Sequence, residues 1–442
     1  MNTQTCTHCA EYGRVSRRNF LTTGLTSVAA FALGPNIVAL PRWLPRVAFA
    51  DPHVGPAGDA LVCIFLRGGA DGLNMVIPHG DEEYYRRRPY LGIPRPDDNR
   101  AKDGGPEAAS GRVLDLDGFF GLHPALAPLH EIYSAGQLAV IHATGSPDET
   151  RSHFEAMDLM ERGATSNGDY TGWLARHLAT LDTGNDSALR AIGVGDMLPA
   201  ALTGAVSATA LQSIADYHLR GVDDRIGEMT TLLNALYNQQ PDLLTATANQ
   251  TFASLELLAQ LSREPYVPHG RAYAESDFGR AMQTVAQLIK ADVGVEVACV
   301  DLGGWDTHVA QGGVNGAQAS LMAELANGLA AFYEDLGERR AGVTAVVMSE
   351  FGRRVQENGG LGTDHGHGNM MMVLGGGING GKVYGRWPGL QPEQLVGPGD
   401  LAITTDYRDV LGELLRKRLN NGGVTAVFPG YTVNEMGLAV PR

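Results

Sequence analysis

Five short loops hold most of the residues that could do chemistry. Arg67-Gly68-Gly69-Ala70-Asp71-Gly72 is the first, and the segment from Ala143 to His153 the second. Asp301 to His308, Ser349 to Arg354 and Thr363 to Gly368 are the others. Together they supply Asp71, Asp306, His308, Glu350, Asp364, His365 and His367. Carboxylates and imidazoles gathered in one place are the ligands that zinc, manganese or iron takes. Asp306 and His308 are two apart, so an extended backbone would aim both side chains the same way. His365 and His367 share that spacing, and the glycines around them would let the chain approach an ion closely. The same residues have plainer readings. A Gly-Asp-His loop can be only a turn with Asp bonding nearby amides. Asp306 can be a helix cap, and Asp71 and Glu350 ordinary carboxylates at turns or on the surface.

Thr150-Arg151-Ser152-His153 opens a predicted helix over 150–161. Capping alone would explain either hydroxyl. The sharper reading makes Ser152 a nucleophile, since a helix N-terminus favours anionic substrate oxygens, with Arg151 and His153 beside it for charge or proton transfer. Arg67, Arg151 and Arg353 could clamp a phosphate or sulfate, or pair with carboxylates. Gly376-Gly377-Ile378-Asn379-Gly380-Gly381-Lys382 imitates a phosphate-cradling loop. Val383 stands where Ser or Thr should hold magnesium, so a turn between strands is expected instead.

These loops need elements to position them. Buried strands are expected at 61–66, 138–142, 293–300, 343–348 and 370–374, where short apolar runs occur. Helices are expected between them: 124–135 with Pro at its first turn, one capped by Ser276 with Phe278, Met282, Val285 and Ile289 on one face, one along Leu321, Leu325, Leu329, Phe332 and Leu336, and one capped by Asp406. Strands alternating with helices predict an α/β protein, its mostly parallel central sheet sandwiched by helices. Ligands bind such sheets at the carboxyl edge, where four of the five loops emerge. The stretch 182–270 breaks the rhythm and reads as a helical insertion or cap, with helices at 225–238 and 243–261. The loop around 94–105 reads as solvent-exposed.

The N-terminus reads as an address. Ser16-Arg17-Arg18-Asn19-Phe20-Leu21, a mildly apolar stretch and Ala48-Phe49-Ala50 form a twin-arginine export signal, cut after Ala50. A retained anchor is the alternative, though Gly24, Gly34 and Pro35 suit a permanent span poorly. The expected partner is the Tat translocase, and the destination the periplasm or beyond. Residues 51–442 would then form a single domain. The leader carries five Arg and one Glu, so removing it takes the net charge from −15 to about −19. So acidic a chain is not expected to bind nucleic acid, whose affinity comes from Lys and Arg on phosphates. Cys6, His8 and Cys9 are one ligand short of a structural zinc site and would leave with the signal. Cys63 and Cys299 lie in apolar runs and read as buried thiols; a disulfide is the alternative in an oxidising compartment.

The motifs Leu66-Arg67-Gly68-Gly69-Ala70-Asp71-Gly72-Leu73-Asn74, Arg151-Ser152-His153-Phe154, Gly304-Trp305-Asp306-Thr307-His308, Ser349-Glu350-Phe351-Gly352-Arg353 and Asp364-His365-Gly366-His367-Gly368 together resemble the bacterial family known as domain of unknown function 1501. That family is grouped with the alkaline phosphatase and sulfatase superfamily. The resemblance implies a helix-sandwiched sheet, a divalent metal (zinc, manganese, iron or calcium) and hydrolysis of a small phosphate or sulfate ester. It matches Asp71 to the first-strand metal aspartate, Asp306 and His308 to an Asp and His pair, and His365 or His367 to a late histidine. Ser349-Glu350 stands where an Asp-His pair is expected, and the nucleophile falls near Thr150 or Ser152. The rival expectation is a non-catalytic envelope protein that keeps the fold and binds a ligand or partner.

Overall fold

The computed structural model describes residues 58–98, 111–164, 171–185, 187–205, 208–214, 226–237, 243–263 and 265–442. The export signal, with Cys6, His8, Cys9 and the cut after Ala50, lies outside the described residues, as does part of the 94–105 loop. The described residues group as one compact unit. Among the described residues, no helix is long and apolar enough to cross a membrane.

Among the described residues, nine strands form the central sheet. In chain order they are β1 (Ala60–Leu66), β2 (Leu138–Gly145), β3 (Ala191–Val194), β4 (Thr209–Leu211), β5 (Val297–Leu302), β6 (Val343–Met348), β7 (Asn369–Gly375), β8 (Lys382–Tyr384) and β9 (Thr405–Asp406). Their spatial order is β8-β2-β7-β6-β1-β5-β3-β4, with β9 beside β2. Every pairing is parallel except those of β7, which runs against both β2 and β6. This reversal matters for function. The other strands bring their carboxyl ends to one edge, as the pairs Leu66 with Leu302 and Phe65 with Met348 show. Because β7 is reversed, its first residue, Asn369, pairs with Thr144 near the end of β2. The His365–Gly368 loop therefore reaches the shared edge from the amino end of its strand.

Side-chain alternation along β1 builds both sides of the sandwich. Val62, Ile64 and Leu66 enter a core shared with α1 (Ala127–Ser134), α6 (Asp277–Lys290) and α7 (Ala317–Asp335). Leu61, Cys63 and Phe65 face a second core with α3 (Trp173–Thr180) and α8 (Tyr407–Lys417). A strand covered on both faces reads as a continuous apolar run, which is why β1 stands out in the sequence. The caps follow local rules: Ser276 accepts from the Gly279 amide and Asp406 from that of Arg408. Cys63 and Cys299 are free, buried and opposite each other on β1 and β5. The glycine-rich decoy is the turn from β7 to β8.

The 182–270 stretch differs from the helical insertion expected. It holds α4 (Ile226–Tyr237) and α5 (Leu243–Leu261), but also β3 and β4, which extend the sheet beyond β5. Strands of four and three residues are too short to show an alternation in sequence.

Three buried histidines are held neutral. In β2, Ala143 N donates to His142 Nδ1 at 2.8 Å while Nε2 faces Val76 O at 3.0 Å. His123 repeats this between Ala125 N and Gly313 O. Burial pushes His142 and His123 down to about 4. Burial and the Arg190 charge push His177 down to about 3. An unfolded histidine titrates near ~6.5, so between there and pH ~4 the unfolded chain binds protons that the fold refuses. Stability should therefore fall as pH falls through this window, by ~3 kcal/mol for His142 alone. Denaturant titrations from pH 7 to 4 should show the decline, made shallower by His142→Gln; a flat profile would contradict the neutral assignment.

Candidate metal centre

At the carboxyl edge the chain turns sharply to bring the loops together. Gly68 and Gly69 have φ of +117° and +61°. A Cβ at Gly68 would stand 2.7 Å from the Asp306 amide nitrogen, so the first loop can lie on the third only as glycine. The loops around Arg353 and His365 pair as a short antiparallel bridge. There, a Cβ on Gly366 would lie 2.4 Å from the Arg353 carbonyl carbon.

Arg353 ties this edge together. Its side chain is fully buried and donates to the carbonyls of Gly68, Gly69, Trp305 and Thr363, and to Asp306 Oδ1 at 2.7 Å. It positions three loops, and its guanidinium is not free to clamp an anion. Arg67 is likewise engaged, with Glu161 at 2.9 Å and Asp301 at 3.0 Å.

Three imidazole nitrogens converge on Asp306. Its Oδ1 lies 3.0 Å from His308 Nε2, 3.2 Å from His365 Nε2 and 3.4 Å from His153 Nε2. The His365 Nε2 is 2.9 Å from both His153 Nε2 and His308 Nε2. Each ring is held from behind through Nδ1. His153 meets Glu350 Oε1 at 2.7 Å, His308 meets Asp364 Oδ1 at 3.3 Å and His365 meets the Arg151 carbonyl at 2.9 Å. An Nδ1–H donated to oxygen leaves the Nε2 lone pair facing inward, the arrangement that metal-bound histidines adopt. Lone pairs 2.9 Å apart repel unless a cation or a proton lies between them.

The electrostatics agree. Burial opposes charging His153, but Asp306 and Glu350 outweigh it and push its pKa up to about 9. Burial would raise the Asp306 carboxyl, yet His153, His365 and Arg353 hold it well below the usual carboxylate range. Glu350 is lowered too, because His153 overcomes its burial. Asn358, and then His308, hold Asp364 down.

The donor set fits a divalent ion. Atoms each ~2.1 Å from one ion lie roughly 3.0–3.4 Å apart, close to the separations seen. His153, Asp306 and His365 could hold it together, and His308 borders the same point. Nitrogen-rich ligands suit zinc, iron or manganese better than calcium, which takes oxygen. The Asp306 side chain remains 47% exposed, so one side of the cluster is open to solvent.

A family model described as "Protein of unknown function (DUF1501)" matches residues 59–414. The chain belongs to that family. No curated protein matches it. Among solved structures, this DUF1501 chain is similar to PsFucS1 sulfatase from Pseudoalteromonas sp., with TM-score 0.35 and 10% identity over 87% of this chain and 74% of that one. It is also similar to the PH0037 protein from Pyrococcus horikoshii, with TM-score 0.27 and 12% identity over 72% and 86% of the two chains. Ps i-CgsB gives TM-score 0.31 and 9% identity over 79% and 68%.

The DUF1501 motifs do not all reach the centre. Of the residues expected to bind metal, Asp306, His308 and His365 converge. Glu350 and Asp364 stand one step behind, each bonded to a histidine. Asp71 and His367 are elsewhere. Asp71 is buried against Arg88, at 2.5 and 2.9 Å, and accepts from Gln311 at 2.7 Å. The interior takes a carboxylate where Arg88 brings a buried charge, and nothing in Arg86-Arg87-Arg88 distinguishes that arginine from its neighbours by sequence. The His367 ring faces the Ser146 carbonyl at 3.0 Å. His153, expected beside Ser152 for charge or proton transfer, lies in the cluster. Arg151 pairs with Asp400 and presents only its carbonyl to His365. Ser152 occupies the N-cap position of α2 (His153–Arg162), but its side chain makes no cap bond.

Proposed function

We propose that this chain is an exported, metal-dependent hydrolase of phosphate or sulfate esters. One observation carries the reading: three histidines with their Nδ1 atoms fixed turn Nε2 toward one ionised aspartate at the open carboxyl edge of the sheet. His153, Asp306, His308 and His365 would hold the ion. A bound divalent ion there would supply charge for the ester oxygens and lower the pKa of an attacking hydroxyl or water. Glu350, Asp364 and the Arg151 carbonyl keep the imidazoles aimed, and Arg353 keeps Asp306 ionised and in place. Ser152 is the proposed nucleophile. It is exposed, and both its neighbours touch His365: Arg151 through its carbonyl, His153 through Nε2. The twin-arginine leader supports the export half of the reading.

The test is an ester panel on the mature protein loaded with zinc, manganese or iron in turn. Turnover of a phosphate or sulfate ester is expected, and Ser152→Ala should lower it at least ~100-fold while leaving the metal bound. Turnover unchanged in Ser152→Ala would remove that residue from the role. The burial of Asp71 against Arg88 favours a second reading, a metal-bearing binding protein, because it takes the carboxylate expected from the superfamily pattern out of the site. Full metal loading with no turnover of any ester would select it.

The raised pKa of His153 gives a further expectation. Below pH ~9 that ring carries a proton which an incoming ion must expel, so metal affinity should rise with pH up to about 9. Calorimetry at pH 7 in buffers of different ionisation enthalpy should show about one proton released per ion. No buffer dependence would mean that His153 is not displaced.

A further inference from the structure

Beside the cluster lies a groove of about 620 Å³, lined by Arg86, Arg87, Tyr90, Gln356, Asn358 and Leu361 among others. Its size lies within the ~300–1,000 Å³ of small-molecule sites. We propose that this groove is the subsite for the organic part of the substrate, and that it takes a flat ring carrying the anionic ester. The proposal rests on the hydrolase reading above and adds the class of leaving group.

Position is the first argument. Asn358 forms part of the groove lining and donates through Nδ2 to the His308 carbonyl at 3.0 Å and to Asp364 Oδ1 at 2.9 Å. That is the carboxylate facing His308 Nδ1. One side chain thus separates the groove from the proposed metal ligands. The second argument is exposed apolar surface in an otherwise acidic protein. Tyr90 is 75% exposed and Leu361 49%; Val309, which lies near Gly360, the residue before Leu361, is 72% exposed. An open tyrosine ring with aliphatic neighbours is a stacking platform for a ring face.

Backbone strain is the third. Leu361 has φ of +56° and Ala310, one residue from Val309, +50°. A bulky residue in the left-handed region costs free energy that glycine would avoid, and such outliers gather at ligand sites. The strain at Leu361 is held by hydrogen bonds from its amide to the Asn358 carbonyl and from the Gln311 amide to its own. It keeps an apolar side chain on the groove wall. The fourth argument is charge. Arg86 and Arg87 share one carboxylate, Glu83, while the Glu357 carboxylate accepts from the Tyr90 and Leu91 amides. With two arginines set against two carboxylates the groove is close to neutral, which suits an uncharged ring while the ester anion faces the metal ligands, and the exposed Gln356 adds a polar group.

The experiment is calorimetry with phenyl phosphate, glucose 6-phosphate and inorganic phosphate on the whole mature protein, both metal-loaded and as metal-free His365→Ala. Phenyl phosphate should bind about tenfold more tightly than inorganic phosphate or better. Glucose 6-phosphate, whose ring is puckered, should gain less, and tighter binding of it than of phenyl phosphate would overturn the flat-ring assignment. Tyr90→Ala and Leu361→Gly should erase the preference while metal content and melting temperature hold. Glycine accepts the left-handed φ at position 361, so Leu361→Gly removes the side chain without forcing the turn to change. The preference should persist in His365→Ala, so that a failure of catalysis and a failure of the groove read differently. Equal binding of all three probes, no binding of any, or a preference that survives both groove variants would overturn the proposal.

Discussion

Replacing His365 with alanine should empty the metal centre. His365 Nε2 is the atom closest to both neighbouring imidazoles, and its ring is fixed by the Arg151 carbonyl. Even outer partners of metal ligands are worth ~10–100-fold in affinity, so loss of this nitrogen should weaken binding by more than about a hundredfold. Elemental analysis of His365→Ala beside wild type checks this. His367→Ala is the matched control: it lies two residues away, but its ring faces the Ser146 carbonyl, and it should keep its metal. If both variants lose metal alike, or neither does, the centre has been assigned to the wrong residues.

Replacing Asp71 with alanine should do the reverse, lowering stability without touching the metal. Asp71 and Arg88 are both fully buried in side chain, and Arg88 also donates to Asn74 Oδ1 and to the Val355 and Arg354 carbonyls. Removing one partner of such a pair strands the other charge in a dry interior at a cost of ~3–5 kcal/mol. Denaturant unfolding should register this loss in Asp71→Ala while the metal content stays that of wild type. Asp71→Leu combined with Arg88→Met should recover much of it, because apolar replacement of a whole buried pair is often neutral. Loss of metal from a folded Asp71→Ala protein would restore the aspartate to the ligand set.

Much of this architecture is legible from local pattern. The continuous apolar runs of β1, β2 and β6 mark doubly covered strands, and the polar loops stand out at their ends. Strand direction is not legible. Met370 to Leu374 reads the same in either sense, yet only the reversal of β7 brings His365 to the edge where Asp306 and His308 wait. Side-chain partners are hidden for a related reason. His153 sits beside a serine and reads as its helper until α2 is seen to start there and Glu350 to bond its Nδ1 across 197 positions of chain. Asp71 lies in a glycine-flanked loop that suits a ligand, and its buried partner Arg88 comes 17 residues on with no mark in the sequence. Chain patterns report which face is buried; they do not report which polar group meets which.

X-ray absorption spectroscopy at the metal edge of the loaded, mature protein would show whether the three imidazoles bind the ion. The expected spectrum has a first shell of three imidazole nitrogens with carboxylate or water oxygen, at about 2.0–2.2 Å for zinc, and multiple-scattering features from the rings. A shell of oxygens alone, or one containing sulfur from Cys63 or Cys299, would contradict it and move the metal away from His153, Asp306, His308 and His365.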